Sequence, residues 1–133
     1  MWCYPAEGVV LGVSWGADAA ACQAALGPLV ADAGGDEATR RAQVASPLAL
    51  VGARWSVALV FEFDALCAVV LQAEAGPDAF AGATLPRLVA LAERWFGARP
   101  SRRDEGYWQV EAGATRLTVD LLEGTLTFED TDA

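Results

Sequence analysis

The segment WSVALVFEFDALCAVVLQAE, residues 55–74, constrains the fold more than any other part of the chain. Its first arm alternates. Trp55, Val57, Leu59, Phe61 and Phe63 fall on one side, and Ser56, Ala58, Val60 and Glu62 on the other, which is the two-residue repeat of a β-strand. β-branched and aromatic residues fill it, as a pleated, half-buried surface favours. With Asp64-Ala65 as the turn, Phe63 faces Leu66, Phe61 faces Ala68 and Leu59 faces Val70. The second face then carries Ala58, Val60, Val69, Leu71 and Ala73, with Ser56 and Glu62 at the ends of its first arm. A hairpin apolar on both sides is expected to be covered on both. This makes it the central pair of a sheet, its second face under a loop, another subunit or a partner.

Helix signals flank the hairpin. GADAAACQAALG, from Gly16, offers Asp18 as N-cap, an apolar stripe of Cys22, Ala25 and Leu26, and a stop at Gly27-Pro28. Thr84 to Phe96 places Leu88, Leu91, Ala92, Trp95 and Phe96 on one stripe. Thr84 is its expected cap, Pro86 falls in its first turn and Gly97 closes it. Val9 to Ser14 reads as a short first strand or lead-in, and Pro47 to Val51 as a strand. Residues 29–46 carry the weakest pattern; Asp36 caps an expected short helix, DEATRRAQVA.

The C-terminal third reads as a three-stranded meander. A turn at Gly113-Ala114 pairs Val110 with Leu117, Trp108 with Val119, and Glu111 with Arg116. A second turn at Glu123-Gly124 pairs Leu121 with Leu126 and Val119 with Phe128. Both turns put the same apolar set on one face. The tail from Asp130 to Ala133 is expected to fray. The fold expected is one α+β domain over residues 1–133. It has a single antiparallel sheet of about six strands, two main helices on one face, and the order α-βββ-α-βββ.

Composition narrows function. The net charge is -9, which argues against nucleic acid and anionic membranes and is compatible with a basic protein partner. All nine basic residues are Arg and there is no His, so the commonest general base and metal ligand is missing. The absence of Lys, Ile and Asn beside abundant Ala and Gly matches the codon bias of a GC-rich genome. Cys3, Cys22 and Cys67 are an odd set without close spacing, which reads as reduced thiols and a cytoplasmic setting. No histidine is present to activate a thiol. No apolar run approaches the ~20 residues of a membrane helix, and no signal peptide is expected. No phosphate loop, dinucleotide motif or nucleophile elbow occurs, and no cofactor is expected.

The stretch GADAAACQAALG, followed later by a hairpin with F-x-F-D at its turn, resembles the helix-then-sheet unit of β-lactamase-inhibitor-protein-like domains. Gly16, Asp18, Cys22, Leu26 and Gly27 occupy the places of the glycine, cap, apolar pair and closing glycine of such units. Asp64-Ala65 departs from the Asp-Gly turn common there. The resemblance implies action through protein contacts, as an inhibitor or assembly factor.

The expected function is therefore a protein-interaction module, of the inhibitor or immunity type, with no catalysis. Candidate partner-binding residues are Trp2, Trp15, Val60, Glu62, Val69, Leu71 and Tyr107. Trp55, Trp95 and Trp108 are assigned to the core. One alternative is a homodimer buried through Val60, Val69 and Leu71. The other is a carboxylate enzyme with Glu62 as base and a second acid near it.

Overall fold

The computed structural model describes residues 3–35, 38–104 and 106–132, with residues 31–35 described by backbone alone. The chain opens with a small hairpin, β1 (Val9–Val10) and β2 (Val13–Ser14), followed by α1 (Ala19–Leu26). Five strands follow: β3 (Leu29–Gly35), β4 (Thr39–Val44), β5 (Leu48–Leu50), β6 (Ala53–Glu62) and β7 (Ala65–Ala73). Then come α2 (Thr84–Phe96) and β8 (Ser101–Asp104), β9 (Tyr107–Ala112), β10 (Thr115–Asp120) and β11 (Thr125–Asp130). The fold is α+β. Its antiparallel sheet has nine strands, in the order β3-β4-β6-β7-β11-β10-β9-β8 with β5 also paired to β6. The expected six strands and the α-βββ-α-βββ order are corrected to this.

The central hairpin forms, but with its turn one residue earlier than the sequence predicts. Glu62 pairs with Ala65, Phe61 with Leu66, Val60 with Ala68 and Leu59 with Val69. The turn is Phe63-Asp64, both at positive φ (50° and 62°), as a type I′ connection requires. Cys67 is the extra residue between the Phe61 and Val60 pairs, a bulge that reverses which residues of β7 face the core beyond it. The bulge, not the earlier turn, moves Val69 and Leu71 to the core side. Both are fully buried there and pair with Phe128 and Leu126.

One row of pairs, Ala42–Leu59–Val69–Phe128–Leu117–Val110, runs across the sheet beneath the helices. All six side chains are buried. α2 packs on this face through Leu88, Val89, Ala92, Trp95 and Phe96, with the Trp95 and Phe128 rings 6.2 Å apart. Trp55 is sealed in by Phe80, 6.0 Å away, and donates its indole hydrogen to the Leu50 carbonyl at 3.1 Å. α1 lies on the same side, where Leu26 and Ala25 border a cleft with Val44 and Val57. Only Cys22 of α1 is fully buried, so Ala25 is exposed where the sequence predicts a stripe. Asp18 does cap α1, its Oδ1 accepting the Ala21 N–H at 2.9 Å. Thr84 proves to be the first residue of α2 and gives no side-chain cap.

Residues 38–45 of the expected short helix are instead mostly strand β4; Asp36 and Glu37 lie outside the described residues. The Gly113-Ala114 turn has the expected register, with Glu111 opposite Arg116. The next turn is longer than expected: Val119 pairs with Leu126 and Leu117 with Phe128. Thr131 does not fray, since its N–H donates to the Ala114 carbonyl at 2.9 Å. Among the described residues no helix is long and apolar enough to cross a membrane.

Candidate functional site

The sheet face away from the helices is uncovered by any described element. Its register can be read row by row. Val30, Gln43, Ala58, Val70, Thr127, Thr118, Gln109 and Ser101 form one row. Arg41, Val60, Ala68, Glu129, Arg116 and Glu111 form the next. Ser56, Gln72, Thr125, Asp120 and Tyr107 form a third. The middle of the face is therefore the short apolar patch Ala58, Val60, Ala68 and Val70. Its own side chains are small or β-branched, Ala58 buried and the other three half-buried, and Arg41, Gln43, Gln72, Thr127 and Glu129 border it.

Charge is placed at the margins. Arg116 sits between two acids, with Nη2 2.9 Å from Glu129 Oε2 and Nη1 3.6 Å from Glu111 Oε1. Both carboxylates raise the Arg116 pKa above its ordinary value, Glu129 most through its hydrogen bond. Arg54 Nε lies 3.7 Å from Glu74 Oε2. Glu62, Glu74, Glu111, Asp120 and Glu129 stand on this face against Arg41, Arg54 and Arg116, an acidic excess. Such exposed pairs contribute little stability, about 0–1 kcal/mol each, but they set the field a partner meets.

At one end of the patch the Phe63-Asp64 tip projects. Phe63 is 78% exposed, although its N–H is fixed to the Ala38 carbonyl at 2.8 Å. A bulky residue at positive φ is an outlier, costing on the order of 1 kcal/mol or more. An exposed aromatic held in that conformation is the feature the sequence reading missed, because it assigned Phe63 to the core face.

The candidate residues separate. Val60, Glu62 and Tyr107 lie on the open face, Val60 and Tyr107 half-buried and Glu62 exposed at the hairpin end. Val69 and Leu71 are on the covered face and leave the set. Trp15 packs against the core and spends its indole hydrogen on Thr115 Oγ1 at 2.9 Å, so it fastens the N-terminal segment instead of anchoring a partner. Trp2 lies outside the described residues.

Cys67 is the one described thiol that is not fully buried. Its Sγ–H donates to the Val60 carbonyl at 3.4 Å. Burial, then Glu62, Asp130 and Glu129, push its pKa above the ordinary 9.0, so the thiol stays protonated at neutral pH and is a weak nucleophile. Among the described residues no cluster of His, Cys, Asp and Glu is arranged to hold a metal ion. Comparison of the chain with protein-family models, curated proteins and solved structures finds no match.

Proposed function

We propose that the chain is a non-catalytic protein-binding domain that receives a basic protein on the open face of its sheet. The observation that carries this reading is the patch of Ala58, Val60, Ala68 and Val70, apolar at the centre of a face no described element covers. Its acidic margin and the net charge of -9 favour a partner of opposite sign. The same acids oppose a second copy stacked on this face, since like charges would meet around the patch. The resemblance to β-lactamase-inhibitor-protein-like domains suggests the inhibitor or immunity class. A cytoplasmic setting fits three free thiols.

Affinity capture with the wild-type chain and with a Val60→Glu, Val70→Glu variant tests the reading. The expected result is a basic protein retained by the wild type and lost by the variant. Equal retention by both would contradict it. Sedimentation of the pure protein adds a second arm: a stable dimer at micromolar concentration that the same variant dissolves would assign the face to self-association.

A further inference from the structure

We infer that the cleft along the flank of α2 binds a free amino acid with a large apolar side chain, Arg99 taking its carboxylate and Glu93 its ammonium. The inference is independent of the protein-binding reading, because the cleft lies on the helix-covered side of the sheet. Leu85, Pro86, Val89 and Glu93 of α2 line it, together with Arg99 from the link to β8 and Trp108 of β9. Its volume is about 290 Å³, at the small end of ligand clefts.

The sequence of α2 gives the cleft two different ends. Leu85, Val89 and Glu93 follow at four-residue spacing, so they share one face of the helix. Eight residues at 1.5 Å each put Glu93 about 12 Å from Leu85 along the axis. Arg99 comes just after Gly97, whose N–H closes the helix on the Glu93 carbonyl at 2.8 Å, so both charges belong to the C-terminal end. Leu85, Pro86 and Val89 make the other end apolar. Trp108 is half-buried and lines the same cleft, which leaves apolar surface for a ligand to cover.

Charge selects the ligand. Glu93 and Arg99 are both exposed, yet among the described residues neither forms an ion pair, with the other or with a third group. An anion alone would be repelled by Glu93, and a cation alone by Arg99. A molecule carrying both signs side by side is attracted twice. The α-carboxylate and α-ammonium of an amino acid have that arrangement, and a planar guanidinium matches a carboxylate. A peptide end carries only one of the two charges. Both protein groups are open to water, so the attraction is screened and a Kd of about 0.1–1 mM is expected.

Isothermal titration calorimetry on the full chain tests this. The ligands are L-phenylalanine, its methyl ester, N-acetyl-L-phenylalanine and glycine. The ester lacks the negative charge, the acetyl compound the positive one, and glycine the apolar tail. Phenylalanine should bind, and each of the other three about tenfold more weakly or not at all. Arg99→Gln should weaken phenylalanine about tenfold and remove its advantage over the ester. Glu93→Gln should weaken it similarly and remove its advantage over the acetyl compound. Arg94→Gln, next to Glu93 in sequence but lining a different cleft, should leave Kd within twofold. No heat from phenylalanine, leucine or tryptophan at several millimolar would overturn the site. Equal binding of the ester and the acetyl compound would overturn the zwitterion. A Kd within twofold of wild type in either charge variant would overturn the role given to that residue.

Discussion

Trp15 and Thr115, far apart in the chain, are joined by a 2.9 Å hydrogen bond from the indole Nε1–H to Oγ1. Thr115 in turn donates its hydroxyl hydrogen to the Pro5 carbonyl at 2.6 Å. Thr115 is fully buried, so the hydroxyl relays one hydrogen bond into another and ties the N-terminal segment to β10. Thr115→Val keeps the shape and strands both neighbours. Leaving buried polar groups unpaired costs about 1–3 kcal/mol each. Urea unfolding is expected to show a loss of roughly 2–4 kcal/mol for Thr115→Val, and a much smaller loss for Thr115→Ser.

The Phe63-Asp64 turn is held against its own conformational preference, with both residues at positive φ. Asn-Gly is the preferred pair where both φ values are positive. The double substitution Phe63→Asn, Asp64→Gly should therefore raise stability by about 1–2 kcal/mol in urea unfolding. Stability unchanged or lowered would remove the argument that this turn is held against its own preference.

Gly124 sits at φ +73, and a Cβ there would meet the Gly76 carbonyl carbon at 2.5 Å. Gly82 has a similar φ of +63, with nothing within 4 Å. Both pay the left-handed penalty on substitution, but only Gly124 adds a backbone collision. Gly82→Ala is expected to cost about 1 kcal/mol and Gly124→Ala several times that by thermal unfolding, because the turns at Gly76 and Gly124 would have to separate.

Burial raises the thiols of Cys3 and Cys22 above their ordinary 9.0, and the Asp18 carboxylate adds to the effect at Cys22. A raised folded pKa means the fold favours the protonated thiol. That contribution is complete below pH 9.0 and is lost as pH rises through the folded values, because the unfolded chain then releases protons more readily. The urea midpoint is expected to fall with rising pH above that point. The fall should be shallower in Cys22→Ala; parallel slopes would show that the thiol is not responsible.

How much of this was legible in the sequence depended on whether independent signals agreed. The Gly113-Ala114 turn could be read because the alternation and the Glu111–Arg116 pair selected one register. The next turn hid its length: Asp120 Oδ1 accepts the N–H groups of Leu122 and Glu123 at 3.0 and 3.1 Å, holding a loop two residues longer than expected. At the central hairpin the bulged Cys67 is as apolar as its neighbours, so the pattern could not reveal it, and Val69 and Leu71 were assigned to the wrong face. β4 was masked by helix-favouring Ala, Arg and Gln. Its pairing with β6 overrides that propensity, and only the buried Ala42 and Val44 betray its two-residue period. The open face was correctly expected to be apolar at Ala58 and Val60. The exposed Phe63 was not foreseen, because it follows from the turn position.

Photo-crosslinking from the open face tests the central claim most directly. Benzoylphenylalanine is placed at position 60 in one variant and at position 122 in another, and each is irradiated in cells of the source. The account predicts one discrete adduct from position 60, to a basic protein, absent from position 122 and abolished when Val70→Glu is added. No adduct from position 60, or the same adducts from both positions, would contradict it.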